Sequence, residues 1–554
     1  MSAVLSMGLL SNGLLSNGLL SNGLLSNGLV LAEQQIATPD IDWTAILPNL
    51  VLMLGGILLL TVVSLLRGRA PRWFHCTWTV LVALISMATV VPLWHRVQDT
   101  GPESVMGGAV GLDGFSLGIT LNVCLAVIFA ALLLQSYLRR EGLEGPEWYV
   151  LVMLSASGAV TMASANDLIV LFIGLEIMSV AVYVLSAMHN RRVSSQEAGF
   201  KYFVLGAFAS AFLLYGIALT YGATGSTNLA DIQTYLSTHV ITSNGLLLGG
   251  IGFMVVGLGF KIAAVPFHFW TPDVYQGAPS PISAFMATAV KAGAFAALVR
   301  VFVVTFGPTQ VGEWRPILFA LAVLTLLVGS LFAIVQTNVK RMLAYSSINH
   351  AGFLLLGILA STPQGNSATL FYLTAYTFMA AGSFAVVTVV GRKGDGHHDL
   401  EDYRGLSKVR PGLALVFAVL LLSQAGVPLT VGFLSKFYVI SAALQSDFPG
   451  AEVLSLIAMF SAVISAFMYL RIVATMYFPD AIGSGSGAST AAGSSSSGST
   501  ATAGAGSGPA IRIPVTAGIA LGLAVAGVLV LGIIPGPLSD FVGDATAQLV
   551  AVAR

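Results

Sequence analysis

Apolar residues along the chain gather into fourteen runs of roughly membrane-spanning length, separated by short polar or Gly/Pro-bearing stretches. The runs lie near residues 44–66, 77–94, 113–137, 148–164, 167–188, 202–222, 244–268, 281–305, 316–336, 342–360, 368–390, 411–445, 452–477 and 511–534. A hydrocarbon core about 30 Å thick is crossed by about 20 residues of helix. Only a helix or a closed barrel crosses it without stranding backbone polar groups. Each run therefore predicts one transmembrane helix. The run at 411–445 is too long for one straight span and contains Gly426, Pro428 and Gly432, so it predicts one broken helix. In the run at 244–268, Pro266 follows Lys261 within two turns and predicts a second break. The expected fold is an all-α polytopic membrane protein of about fourteen helices, with helices seven and twelve broken.

Two stretches do not fit this pattern. Residues 9–28 are four copies of LLSNG, a period that matches neither helix nor strand and that repeats a turn-forming Asn-Gly pair. They read as low-complexity sequence in front of the core; a signal peptide is the alternative, but a basic leading segment is lacking. Residues 481–508 are almost wholly Gly, Ser, Ala and Thr, the composition of a flexible linker between the last two helices. The organisation that follows is an extension at 1–43, helices one to three at 44–147, one five-helix repeat at 148–310, a second at 311–478, the linker at 479–510, and a last helix and tail at 511–554. The repeat rests on AAVPFHFW (263–270) and QAGVPLTVGF (424–433), similar breaks with a lysine near each. The breaks are five helices apart, so the two units are expected to be inverted, as in many transporters.

Composition narrows the class. Only 9% of residues are charged and 56% are hydrophobic, with a mean hydropathy of +0.87, which excludes a soluble domain. Net charge is zero, so nothing favours a nucleic-acid partner. Cys76 and Cys124 are far apart and cannot form a zinc or iron–sulfur site by themselves. No dinucleotide or phosphate-loop motif stands between a strand and a helix, so any electrons travel elsewhere. The basic residues set the orientation. Loops after odd-numbered helices hold Arg67, Arg69, Arg72, Arg139, Arg140, Arg191, Arg192, Lys340, Arg341, Arg392, Lys393, Arg404, Lys408 and Arg410. The other loops hold little beyond Arg96 and Arg315. The positive-inside rule places the odd loops in the cytoplasm and both termini outside the cell membrane.

Against this apolar background a few ionisable residues stand at depth. Lys291 follows Pro281 by about ten residues, which puts it roughly 15 Å deep. Glu176 lies as far from Asn166–Asp167, while Lys261 and Lys436 flank the two breaks. Charge at that depth is costly and marks ion or proton pathways. Two other readings compete: snorkelling to a headgroup, stronger for Lys261 than for Lys291, and an ion pair that only fixes packing. Lys201, Lys261 or Lys291 is the expected counter-ion of Glu176. A lysine suits proton transfer because burial disfavours its charged form, while a nearby carboxylate pushes the other way. His350 could relay a proton or be a satisfied core histidine, and His268 reads as a hydrogen-bonding residue beside the break. His397 and His398, with Asp395, Asp399, Glu401 and Asp402, lack a ligand spacing and read as a solvated charge cluster rather than a metal site.

The stretch KIAAVPFHFWTPDVYQGAPSPISAFMATAVKAGAFAALVR (261–300) resembles the signature region of the subunit N family of proton-pumping NADH–quinone oxidoreductases (respiratory complex I). That family is a branch of the antiporter-like proteins, which also include subunits of Mrp-type cation/proton antiporters. The likeness spans about residues 44–478 and, loosely, the last helix. It implies proton-pathway roles for a helix-five glutamate, Glu176 in GLEIMS, and a helix-six lysine, Lys201 in FKYFVLGAFAS. It implies the same for Lys261 in GFKIAAVPFH, Lys291 in TAVKAGAF and Lys436 in GFLSKFYV. The implied path enters from the cytoplasm towards Lys261, crosses by Lys291 and leaves by Lys436, with Glu176 and Lys201 gating the first step. The resemblance further implies no cofactor on this chain. NADH, FMN, iron–sulfur clusters and quinone are then expected in partner subunits, beside neighbouring antiporter-like membrane subunits. The rival functions are a subunit of a cation/proton antiporter complex and a purely structural membrane subunit.

Overall fold

The structure, a computed structural model, describes residues 41–66, 70–239, 244–478, 512–547 and 549. The LLSNG repeats, Arg67, Arg69 and the tract at 481–508 lie outside the described residues. In chain order the helices are α1 (Leu47–Leu65), α2 (Phe74–Thr100), α3 (Gly114–Glu141), α4 (Glu147–Ser164), α5 (Leu168–Ala187) and α6 (Val193–Thr224). Next come α7 in two parts (Gly245–Ile262 and Trp270–Gly277), α8 (Ser280–Thr305), α9 (Gly307–Val335), α10 (Val339–Ala360) and α11 (Pro363–Val390). The series ends with α12 in two parts (Pro411–Ala425 and Val431–Leu444), α13 (Ala451–Tyr477) and α14 (Val515–Ile533). Twelve of the described helices are long and apolar enough to cross a membrane. The Ser/Thr-bearing α4 and the divided α12 take the places of the two remaining apolar runs. Beside them lie short helices and one antiparallel hairpin, Glu103–Val105 with Val110–Leu112.

The ends of the spans are written locally. Asp113 caps α3, accepting from the Ser116 amide (2.8 Å), Asp167 caps α5 through Ile169, and Asn338 caps α10 through Lys340 and Arg341. Each short polar side chain satisfies an amide that the first helical turn leaves open. Between the spans, small residues let backbones touch, because apolar side chains gain little from leaving a lipid for a helix. At the α4–α5 crossing a Cβ on Gly158 would collide with the Met178 nitrogen. The innermost helices are α8 and α10, which are almost wholly buried, whereas α1 and α14 are mostly uncovered by the rest of the chain.

One feature of α8 has no mark in the sequence. Its turns widen to the π form over Met286–Val290, just before Lys291, and again over Val299–Thr305. The second wide turn carries Arg300, which is fully buried and pairs with Asp113 at 2.6 Å while its Nε donates to the Ala163 carbonyl at 2.9 Å. This pair ties α8 to α3 and α4 at the end of the bundle opposite the basic loops. Breaking a buried pair by removing one partner strands the other charge, which costs about 3–5 kcal/mol, more than the pair contributes by existing. Asp113→Ala is therefore expected to destabilise strongly in detergent thermal unfolding, and adding Arg300→Met is expected to recover most of the loss. An Asp113→Ala protein as stable as the parent would contradict this account of the pair.

Candidate functional site

Lys261 stands in the last turn of the first part of α7, nearly fully buried, and its Nζ donates to the Tyr183 hydroxyl of α5 at 2.9 Å. The ammonium also lies over the faces of Tyr183 and Tyr202, at 4.9 and 5.6 Å from the ring centroids. The helix stops because Ala263 takes a left-handed conformation and Pro266 has no amide to donate. The groups freed by the break are met from outside it: Val265 donates its amide to Thr325 Oγ1, and Trp270 Nε1 donates to the Phe260 carbonyl. Irregular backbone at membrane depth persists only when it is satisfied in this way.

Lys291 is buried between α8 and α10. Its Nζ donates to both the carbonyl and the hydroxyl of Ser347, each at 2.5 Å, and lies 5.3 Å from the centroid of Tyr376. Lys436, in the second part of α12, reaches back to the end of the first part and donates to the carbonyls of Gln424 (2.8 Å) and Ala425 (2.9 Å). Those are terminal helix carbonyls, where the macrodipole is negative and favours a cation. The approach depends on Gly426, whose φ of 94° turns the chain out of the helix and whose missing side chain leaves room for Lys436.

Among the described residues, none of these three lysines forms an ion pair with a carboxylate. Hydroxyls, carbonyls and aromatic faces hold them instead. Buried polar groups flank two of them. Ser346, next to Ser347, donates to Gln424 Oε1 (3.2 Å) and contacts the Tyr469 hydroxyl (2.5 Å), and the Gln424 carbonyl receives Lys436. His350 belongs to this network, with Nδ1 at 2.7 Å from the Tyr372 hydroxyl and Nε2 at 3.3 Å from that of Tyr469. His268 does not: it sits beside the α7 break, with its ring near Phe269.

The expected counter-ions of Glu176 are a correction. Among the described residues no lysine pairs with Glu176, which lies on α5 beside the exposed Ile173, Ile177 and Val180, and one of its carboxylate oxygens is buried without a partner there. Lys201 is half-exposed and is satisfied by Glu197 one turn before it (2.8 Å) and by Asp273 (3.0 Å). Asp273 becomes its neighbour only because the second part of α7 packs on α6, and it also binds Arg341 (2.6 Å). Arg192, Glu197, Lys201, Asp273 and Gln276 line a cleft of about 260 Å³ at the basic end of the bundle.

A second correction concerns the acidic loop after α11. His397 with Asp402 and Arg404 with Glu401 form surface pairs, as a solvated cluster should. Asp395 and His398 are instead buried. Asp395 meets Arg192 (3.0 Å), Lys340 (3.3 Å) and His398 (2.8 Å), and accepts from the Ser280 hydroxyl (2.9 Å). Burial alone would raise the Asp395 carboxyl, but Lys340, His398 and Arg192 hold it well below the usual carboxylate range. Burial pushes the His398 imidazole down. Local spacing could not reveal this, since Arg192, Ser280 and Lys340 come from three other parts of the chain. Among the described residues no group of three or more His, Cys, Asp or Glu side chains is placed to hold a metal ion.

Comparison with known proteins places this geometry. The family described as NADH:quinone oxidoreductase/Mrp antiporter, TM, matches residues 165–465. The NADH-quinone oxidoreductase subunit N of Trichlorobacter lovleyi is 41% identical over 439 residues, covering 79% of this chain and 88% of that protein. Among solved structures, a chain of respiratory complex I from Thermus thermophilus superposes with a TM-score of 0.70 at 32% identity, covering 89% of this chain and 98% of that one. A chain of the Mrp complex from Dietzia sp. shares the fold, with a TM-score of 0.74 at 23% identity and coverage of 91% and 97%.

The Gly426 turn gives a direct test of the α12 geometry. A Cβ there would meet Lys436 Cδ at 3.2 Å, and a left-handed residue other than glycine costs about 1–2 kcal/mol. Gly426→Ala is expected to lower thermal stability by at least that amount, while Gly412→Ala, which meets nothing within 4 Å on the same helix, is expected to be neutral. Equal stability of the two variants would contradict the assignment.

Proposed function

Because the chain belongs to the NADH:quinone oxidoreductase/Mrp antiporter transmembrane family, as a member of its subunit N group, we propose that its buried lysines carry protons across the membrane. The chain is a proton-translocating membrane subunit of NADH–quinone oxidoreductase and assembles with the other membrane subunits of that complex. It contributes to a translocase without a redox motif of its own. NADH, FMN, the iron–sulfur clusters and quinone belong to partner subunits in this reading. The basic loops face the cytoplasm of a cell-membrane protein, and both termini lie outside.

The observation that carries the proposal is the set of three buried ammonium groups held by neutral partners. A lysine locked to a carboxylate keeps its proton, whereas one held by hydroxyls and carbonyls can give it up and take it back at smaller cost. Protons enter from the cytoplasm towards Lys261, cross by Lys291, pass Ser347, Ser346 and Gln424, and leave from Lys436. Water bridges Lys261 to Lys291, since no side-chain hydrogen bond joins them among the described residues. Glu176 and Lys201 stand on the entry side and set its field. His350 borders the second half of the path. The two broken helices, α7 and α12, correspond as parts of inverted repeats at 148–310 and 311–478, each giving one lysine. Energy arrives through neighbouring subunits as a change in conformation or charge.

Lys291→Met keeps the apolar stem and removes the proton-binding amine. The variant is expected to assemble in normal amount on native gels and to lose proton pumping in vesicles, together with tightly coupled NADH–quinone turnover. Lys291→Arg is not expected to rescue fully, because arginine does not release its proton. Normal pumping by assembled Lys291→Met complex would overturn the role given to this residue, and activity lost only in proportion to assembly would leave a structural subunit.

A further inference from the structure

Lys291 of α8 reaches Ser347 of α10 through its side chain, and the two helices are tied a second time at the basic end. Ser280, the first residue of α8, donates to Asp395 Oδ1 at 2.9 Å. Lys340, the second residue of α10, donates to Asp395 Oδ2 at 3.3 Å and to the carbonyl of Ala278, just before α8, at 2.6 Å. Ser347 lies two turns beyond Lys340 on the same side of α10, and Lys291 lies farther along α8 from Ser280. The two ties therefore join the same two helices at two levels, one at their starts and one at Lys291.

The outer tie is built for a fixed geometry. Asp395 and Lys340 are both 0% exposed, so neither charge can be left alone without a large penalty. Arg192, from the connection between α5 and α6, and His398 complete the shell, with Arg140 farther off at 3.8 Å. The loop is anchored to α3, because the Gly394 amide donates to Glu141 Oε2 at 2.7 Å. Three cationic side chains crowd one carboxylate, a field that repels an incoming proton. The cluster is thus ill suited to be an entrance and well suited to hold helices in register.

We propose that Asp395 is a positioning residue for proton transfer: by joining Ser280 of α8 to Lys340 of α10 it sets the approach of Lys291 to Ser347, without touching the path itself. This rests on the reading that Lys291 carries protons. A carboxylate far along the sequence from both lysine helices then controls the contact at their centre.

The test uses the whole complex in vesicles, with assembly read by native gel beside NADH–quinone turnover and proton uptake. Asp395→Asn is expected to assemble yet lose about tenfold in coupled turnover, short of the roughly hundredfold that a 1 Å misplacement can cost. Asp395→Glu is expected to restore part of the loss. Should Asp395→Asn fail to assemble, Ser280→Ala decides, because it removes only the α8 side of the tie and leaves every charge paired. Combined with Ser347→Ala, Ser280→Ala is expected to reduce turnover no further than Ser347→Ala alone, since both act through one contact. Normal turnover in assembled Asp395→Asn, or losses in the double variant that multiply, would overturn the proposal. Lys291→Met separates the two readings: if it abolishes pumping while assembled Asp395→Asn pumps normally, only the positioning role falls, whereas normal pumping by Lys291→Met removes the reading beneath it.

Discussion

An ammonium group inside a bundle of membrane helices has lost its water and must find oxygen atoms or aromatic faces to replace it. The interior of this protein is arranged around that demand at three places. Lys261 takes a tyrosine hydroxyl and two ring faces, Lys291 takes both oxygens of Ser347, and Lys436 takes the last two carbonyls of an interrupted helix. The interruptions serve this arrangement. A continuous α12 would keep the Gln424 and Ala425 carbonyls within its own hydrogen-bond ladder, and Lys436 would have no such partner. Burial of α8 and α10 at the centre then isolates the middle lysine from competing solvent.

Full charges are distributed differently at the ends of the same helices. There they occur as pairs and clusters: Arg300 with Asp113 at one end, Asp395 among Lys340, Arg192 and His398 at the other. A buried pair is rigid because neither member can leave alone, which suits anchoring. A cation held by neutral groups can lose its charge at smaller cost, which suits turnover. The molecule thus combines paired charges at the ends with ammonium groups held by neutral partners in the middle. Exposed apolar side chains gather on α1, α2, α6 and α13.

Much of this was legible in the sequence, because the membrane constrains it so strongly. Fourteen apolar runs became the helices, Pro266 and Gly426 marked both breaks, and Lys261, Lys291 and Lys436 stood out against apolar neighbours. What could not be read depends on contacts between distant segments. Ser347 and Tyr183 look like ordinary helix residues until Lys291 and Lys261 are placed beside them. Lys201 turned to Glu197 and Asp273 rather than Glu176, because the fold of the second part of α7 brings Asp273 across. Asp395 sat in a polar loop whose composition suggests solvent, and only the convergence of α3, the α5–α6 connection, α8 and α10 buries it. The wide turns of α8 have no local signature, since Met286–Val290 is an unremarkable apolar segment.

The account turns on the lysines having neutral partners within the assembled complex as well as within this chain. A cryo-EM map of that complex, at a resolution that places ordered water, tests this most directly. The prediction is that Lys291 and Lys436 keep Ser347 and the Gln424 and Ala425 carbonyls as their partners, with ordered water joining Lys261 to Lys291. A partner-subunit carboxylate in ion-pair contact with Lys291 or Lys436, or a dry and tightly packed gap between Lys261 and Lys291, would contradict it.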